Sequence, residues 1–150
     1  MADLKHVTYC GLHCQLCAHL ARIPQQAAAL QGTLRGEGWT SFGARVLPGF
    51  EVFWAALETL ARLADTCAGC RGGCGDPDCA IRVCARAQGV VVCSACARFP
   101  CSRIEHLAAH YPNLVADGYR QRSVGIEAWS KEQERRRRAG FCYADIRHPS

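Results

Sequence analysis

The sequence has no long hydrophobic run. The N-terminal residues, from Met1 to His6, contain no apolar segment of signal-peptide length. No stretch approaches the roughly eighteen apolar residues that a membrane span requires. These absences predict a cytoplasmic protein without membrane contact. Because thiols stay reduced in that compartment, cysteines at short spacing are expected to bind metals rather than to form disulfides.

Lysine is scarce: the chain has sixteen Arg, two Lys and a formal net charge of +5. This charge is a poor argument for nucleic-acid binding, because each four-thiolate zinc site lowers it by about 2. The basic run from Lys131 to Arg138 is interrupted by Glu132 and Glu134. Consecutive helical residues spread around the axis, and cations suit a helix C-terminus. Nucleic acid therefore stays an open but disfavoured partner.

Cysteine is absent between residues 17 and 67, although the chain contains twelve cysteines. The gap separates a first group, Cys10, Cys14 and Cys17, from a dense second group. The second group is Cys67, Cys70, Cys74, Cys79, Cys84, Cys93, Cys96 and Cys101. Cys142 stands alone near the end of the sequence.

The cysteine-free segment favours helices. Pro24 suits the first turn of a helix, and apolar residues from Phe50 to Ala64 recur at steps of three and four. Trp54 and Phe53 are interpreted as core residues of that helix. The five glycines from Gly32 to Gly49 predict a packed loop between the two helices.

The rest of the chain also favours helices between irregular turns. Asp78 is predicted to cap a short helix, and three consecutive valines predict a short strand. The predicted segments are the helices 80–86, 102–111 and 125–139 and the strand 90–92. The predicted fold is mainly α, a small single domain of residues 1–150 with an irregular cysteine-rich metal-binding region of knuckles and short helices.

Two C-x2-C pairs give the best-defined metal motif. Cys67 and Cys70, and Cys93 and Cys96, each place two sulfurs on one tight turn, as in four-cysteine zinc sites. Four further cysteines can complete a second site: Cys74, Cys79, Cys84 and Cys101. Spacing does not decide how these eight cysteines are paired.

The motif Cys10-x3-Cys14-x2-Cys17 is unusual for structural zinc. Radical-SAM enzymes hold a [4Fe–4S] cluster with three cysteines at this spacing, but the chain is too short for the barrel that such enzymes use. The loop can still supply three ligands to a cluster or to zinc. The fourth ligand can be Cys142, His13, His6 or another cysteine.

Zinc is favoured over an iron–sulfur cluster, because no compact C-x2-C-x2-C-x3-C-P run is present and Pro100 precedes Cys101. The predicted cofactor is Zn²⁺, with a [4Fe–4S] cluster as the alternative. The predicted metal ligands are Cys10, Cys14, Cys17, Cys67, Cys70, Cys74, Cys79, Cys84, Cys93, Cys96 and Cys101.

Four segments resemble a cysteine-rich bacterial and archaeal family of unknown function. They are Tyr9 to Cys17, Cys67 to Arg71, Ile81 to Ala85 and Cys93 to Cys101, with Gly125 to Trp129 also similar. The resemblance implies a small cytosolic protein that binds zinc or is ferredoxin-like. It carries no activity over.

No residue stands out as a general base, since capping or surface roles explain Asp76, Asp78 and Glu105. The sequence therefore favours a non-enzymatic zinc module that binds a protein partner. The alternative is an iron–sulfur protein that transfers electrons or serves a redox complex.

Overall fold

A computed structural model describes residues 4–147 and divides them into two compact units. The helical unit comprises residues 18–67, and the cysteine-rich unit comprises residues 4–17 and 68–147. Within the described residues there are helices and short 3-10 turns but no strands, which confirms the mainly α prediction. None of the described helices combines the length and apolar composition needed to cross a bilayer.

The helical unit contains five helices among its described residues. They are α1 (Ala18–Ala21), α2 (Ile23–Gly36), α3 (Trp39–Val46), α4 (Phe50–Ala61) and α5 (Leu63–Thr66). Helix α2 packs on α4, and α1 packs on α5. The buried side chains of α4 are Phe50 and Leu57, whereas Phe53 is 36% exposed. The prediction of a core role therefore fits Phe50 better than Phe53.

The predicted loop from Gly32 to Gly49 is wrong. Helix α2 continues to Gly36, and α3 occupies most of the remainder. The left-handed glycines Gly38 and Gly49 immediately precede α3 and α4, with φ of 79° and 76°. The two glycines separate consecutive helices, so this segment contains two short helix breaks and not one continuous loop.

The cysteine-rich unit contains the remaining helices of the described chain. They are α6 (Ala80–Ala87), α7 (Ser102–Ala108), α8 (Leu114–Val124), α9 (Ile126–Arg138) and α10 (Ala144–Arg147). The chain also forms 3-10 turns at Cys14–Leu16, Cys70–Gly72 and Cys93–Ala95. Helices α7 to α9 pack in sequence, α8 packs on the turn at Cys93, and α9 packs on the turn at Cys14.

Two apolar clusters hold this unit together. The larger consists of the buried residues Leu12, Leu16, Phe99, Ile104, Leu114 and Tyr143. The smaller consists of Val7, Val92 and Trp129, each with no exposed surface. Both clusters lie next to cysteine-bearing turns, so burial of apolar side chains fixes where the thiols are placed.

The predicted strand over residues 90–92 is also wrong. Val92 is buried against Val7 and Trp129, and the Val91 carbonyl accepts a hydrogen bond from Arg71 Nη2 at 2.6 Å. This segment has no partner strand among the described residues. Its β-branched residues therefore fill a core position instead of joining a ladder.

Asp78 does not cap α6. The N-cap is Cys79, and no side chain caps the helix. Asp76 Oδ1 instead accepts the Asp78 backbone N–H at 2.9 Å. This local turn takes the place of the predicted cap.

Candidate metal centre

Four cysteines line one cavity of about 110 Å³. They are Cys84, Cys93, Cys96 and Cys101, and we refer to their cavity as the cysteine cavity. Cys84 lies in α6, Cys93 begins a 3-10 turn that Cys96 caps, and Cys101 is the N-cap of α7. Because α6 packs on α7, residues far apart in sequence face the same space.

Hydrogen bonds hold the turn that bears Cys93 and Cys96. The Cys93 N–H donates to the Tyr9 carbonyl at 2.7 Å, and the Cys96 N–H donates to the Cys93 carbonyl at 3.0 Å. Arg122 Nη2 donates to the Cys96 carbonyl at 2.8 Å. Backbone and side-chain hydrogen bonds thus fix the positions of Cys93 and Cys96 independently of any ligand.

Gln121 of α8 joins this turn to the loop that bears Cys10. Its Oε1 accepts the Ser94 hydroxyl at 2.7 Å, and its Nε2 donates to the Gly11 carbonyl at 2.7 Å. Gln121 and Ser94 are each 2% exposed. A buried, satisfied amide of this kind sets the distance between the two loops.

The thiols of the cysteine cavity repel one another electrostatically when ionised. Burial raises the pKa of Cys93 to about 12, and neighbouring thiolates add to the effect. In order of their effect, these are Cys10, Cys101, Cys84 and Cys96. A bound cation reverses this balance, because it stabilises thiolates that burial alone keeps protonated. The Arg103 guanidinium lies 3.9 Å from Cys84 Sγ and adds positive charge at the edge.

A second set of thiols lies around the Cys10 loop. It comprises Cys10, Cys14, Cys17 and Cys70, which we call the N-terminal thiol group. Burial raises the pKa of Cys14, and the neighbouring thiolates of Cys70 and Cys17 add to this effect. The chain next to Cys70 passes close to this thiol, because a Cβ on Gly69 would lie 3.8 Å from Cys14 Sγ. The chain segments around residues 14 and 70 therefore meet at the Cys14 thiol.

Cys10 is a half-buried member of this group, and its thiol pKa responds to several neighbours. Burial raises the pKa of Cys10 to about 11, against a hydrogen bond from Thr8 that lowers it. Thr8 Oγ1 lies 3.0 Å from Cys10 Sγ. The thiolates of Cys70 and Cys79 also raise the Cys10 pKa, so these thiols lie near Cys10.

The sulfurs of both sets are more widely spaced than those around a single ion. Among the described residues, no three of these cysteines have Sγ atoms within 4.8 Å of one another. The ten cysteines Cys10, Cys14, Cys17, Cys70, Cys79, Cys84, Cys93, Cys96, Cys101 and Cys142 carry free thiols.

Within the cysteine-rich unit, Cys70 and the pair Cys93 and Cys96 belong to different groups of thiols. Cys93 and Cys96 line the cysteine cavity, whereas Cys70 lies beside Cys14. Cys67 is the C-cap of α5 in the helical unit. The cavity takes its other two thiols from Cys84 and Cys101.

The two remaining predicted ligands lie in the loop before α6. The Cys74 N–H donates to the Gly69 carbonyl at 3.0 Å, and Cys79 is the N-cap of α6. Buried Arg82 binds this loop through three carbonyl groups, those of Cys70 and Cys74 at 3.1 Å and that of Asp76. Arg82 therefore stabilises the conformation of the loop that bears these thiols, and it is not a metal ligand.

His19 is a candidate metal ligand that sequence reasoning missed. Within the helical unit, a ring nitrogen of His19 and the Cys67 sulfur lie within 4.8 Å of each other. The pair offers two ligand atoms for a metal. Only the packing of α1 on α5 brings them together, and no sequence spacing signals it.

The other candidate fourth ligands that the sequence offers the Cys10 loop are His6, His13 and Cys142. The His13 ring packs between His6 and the edge of Trp129, with centroid distances of 5.9 and 6.1 Å. Burial lowers the pKa of His13 to about 4, which keeps the ring neutral. Cys142 is 1% exposed and is not among the residues lining the cysteine cavity.

A protein-family model described as a protein of unknown function (DUF3795) matches residues 6–106. The match covers more than half of the chain. The chain belongs to this family. The resemblance to a cysteine-rich family of unknown function is thus confirmed. No curated protein and no solved structure matches the chain.

The DUF3795 segment contains the eleven predicted ligand cysteines and ends before Cys142. It therefore spans both the cysteine cavity and the N-terminal thiol group. Clustered free thiols are suited to binding metal, and the family description leaves the identity of that metal open.

Proposed function

We propose that this DUF3795 protein is an iron–sulfur protein, with one [4Fe–4S] cluster held in the cysteine cavity. Its ligands are Cys84, Cys93, Cys96 and Cys101. Held by these four cysteines, such a cluster would supply single-electron transfer between a reduced and an oxidised protein partner. No covalent bond to substrate is made or broken.

The sulfur spacing carries this proposal. A tetrahedral zinc site with Zn–S bonds of about 2.3 Å requires sulfurs about 3.8 Å apart. Among the described residues, no three of the cavity sulfurs lie within 4.8 Å of one another. In a [4Fe–4S] cluster each cysteine binds a different iron, so the four sulfurs stand farther apart. The wide spacing favours the cluster over the single zinc ion that the sequence favours.

The cavity also has suitable volume and chemistry. A space of about 110 Å³ between four thiols is more than one ion needs. Four cysteines for four irons leave no open coordination position, which favours electron transfer over substrate activation. All four cysteines are half-buried, so the edge of a cluster here would lie near the surface that a redox partner contacts.

Anaerobic purification followed by iron, sulfide and zinc determination tests the proposal. We expect a brown protein with iron and acid-labile sulfide in equal amounts. Cys93→Ala should lose the metal of this centre, because it removes a ligand that is fixed by backbone hydrogen bonds. Cys142→Ala is the matched control: it removes a buried thiol outside the cavity and should keep the metal of this centre.

A colourless protein with zinc and no sulfide would reject the cluster and return the zinc hypothesis. Equal loss of iron in Cys93→Ala and Cys142→Ala, with both variants folded by circular dichroism, would reject the cavity as the binding site.

A further inference from the structure

We propose that the protein binds a second metal–sulfur centre through the N-terminal thiol group, Cys10, Cys14, Cys17 and Cys70. The choice of iron–sulfur for this centre rests on the proposed function, but its ligand set is argued from separate residues. The chain would then carry two neighbouring centres rather than one.

The loop from Thr8 to Cys17 is shaped to present its thiols together. The Thr8 N–H donates to the Leu12 carbonyl at 2.9 Å, and the Cys14 N–H donates to the His6 carbonyl at 2.7 Å. The 3-10 turn that begins at Cys14 is closed by the Cys17 N–H at 3.0 Å. This turn repeats the arrangement at Cys93 and Cys96, where two thiols also flank a 3-10 turn.

Cys70 reaches this loop because Gly69 permits a close approach. Gly69 has φ of 75°, and a Cβ there would lie 3.1 Å from the Lys5 carbonyl oxygen and 3.8 Å from Cys14 Sγ. Arg71 holds the same segment from the other side, since its Nε donates to the Val7 carbonyl at 2.8 Å. The segment that carries Cys70 therefore passes directly beside Cys14 Sγ.

Cys70 supplies the fourth ligand that the C-x3-C-x2-C motif lacks. With Cys70 in place, no iron of a cluster keeps an open position for a substrate. The motif that resembles a catalytic cluster loop therefore belongs here to a closed centre. Cys79 is the N-cap of α6 and lies outside the 3-10 turns at Cys14 and Cys70, and we place it outside the ligand set.

The two centres are neighbours through Cys10. The Tyr9 carbonyl accepts the Cys93 N–H at 2.7 Å, which ties the residue before Cys10 to a cavity ligand. Among the thiols, Cys10 has the largest effect on the pKa of Cys93. Gln121 bonds both loops and keeps their separation fixed.

Metal analysis of three variants tests the second centre. Cys14→Ala/Cys17→Ala removes two ligands of the N-terminal thiol group, and Cys93→Ala/Cys96→Ala removes two ligands of the cavity. Each double variant should retain about half of the wild-type metal, and Cys142→Ala should retain all of it. In the reduced wild-type protein, electron paramagnetic resonance should show magnetic interaction between two centres, which each double variant loses.

The outcomes separate this inference from the proposed function. If only Cys14→Ala/Cys17→Ala loses metal, the second centre stands and the cavity cluster fails. If Cys14→Ala/Cys17→Ala keeps the wild-type metal content, the second centre is rejected. Loss of half the metal as zinc from each double variant would keep the second centre and reject iron–sulfur chemistry.

Alkylation of the wild-type protein gives a readout that needs no folded variant. In metal-loaded protein, iodoacetamide should leave Cys10, Cys14, Cys17 and Cys70 unlabelled, and chelation should expose all four. Cys79 serves as the internal control and should be labelled in both states. Labelling of Cys14 and Cys70 in the loaded protein would overturn the inference.

Discussion

Gly118 of α8 is a residue at which the core leaves no space for a side chain. A Cβ there would lie 2.1 Å from Phe99 Cζ. Phe99 is 7% exposed, belongs to the larger apolar cluster and also lines the cysteine cavity. The absent side chain of Gly118 therefore determines how closely α8 packs on the segment that carries Cys96 and Cys101.

Gly118→Ala should lower the free energy of unfolding by about 1–3 kcal/mol, because Phe99 must move within a packed core. The control is Gly32→Ala in α2, where a Cβ would have no atom within 4 Å. That change should raise stability by about 0.5–1 kcal/mol through helix propensity. Urea unfolding of both metal-loaded variants measures the effects. Equal effects of the same sign would contradict the packing argument.

In helix α9, side chains of the same helix form ion pairs and hydrogen bonds with its consecutive arginines. Glu134 pairs with Arg137 at 2.7 Å and with Arg138 at 3.3 Å. Arg136 donates to Gln133 Oε1 at 2.9 Å and lies over the Phe141 ring at 4.0 Å. The basic residues at the helix C-terminus also oppose the negative end of its dipole. Arg136, Arg137 and Arg138 thus each have a partner within the protein.

Glu134→Gln should reduce stability slightly, and the reduction should depend on pH. The Arg137 hydrogen bond lowers the pKa of Glu134 to about 2, below its unfolded value of about 4.3. The carboxylate therefore stabilises the fold above about pH 4.3, and its contribution is lost as the pH falls towards 2. At pH 7 we expect a loss of about 0.5 kcal/mol, because the pair is at the surface.

Thermal unfolding of wild type and Glu134→Gln across this pH range tests the effect. In an Arg137→Gln background the same substitution should cost less, since its main partner is absent. A difference between wild type and Glu134→Gln that grows as the pH falls would contradict the assigned sign.

At the scale of the whole molecule, the proposed metal centres would couple metal binding to folding. The cysteine-rich unit has two apolar clusters of modest size. Its loops approach one another at their cysteine side chains. Metal binding at such sites contributes on the order of 10 kcal/mol to folding. The helical unit instead relies on α2 packed against α4, with Phe50 and its aromatic neighbours Trp39 and Trp54.

Removal of the metal by a chelator under reducing conditions should loosen the cysteine-rich loops of the full chain. Hydrogen exchange followed by mass spectrometry should show amides of residues 8–17 and 93–101 exchanging more than about tenfold faster, a loss of about 1.4 kcal/mol or more in local stability. Amides of α4 are the internal reference and should change little. Unchanged exchange in both loops after complete metal loss would show that the metal has no structural role there.

The sequence already contained much of the helical fold. Pro24 and the apolar periodicity after Phe50 located α2 and α4, and the segment before Gly140 located α9. Local signals failed where burial or a competing contact decided the conformation. Val92 fills a core position and forms no strand. Asp76 accepts the Asp78 N–H in a local turn, where the sequence predicted that Asp78 would cap α6.

The sequence by itself determined the chemistry of this protein: cysteine spacing makes thiolate ligands for metal, and apolar periodicity makes helices. Only the tertiary structure decided which thiols meet. Cys84 and Cys101 join Cys93 and Cys96 because α6 packs on α7, and Cys70 joins Cys14 because Gly69 admits a close approach. Spacing along a chain fixes local turns, whereas the grouping of distant ligands follows from packing that no local pattern encodes.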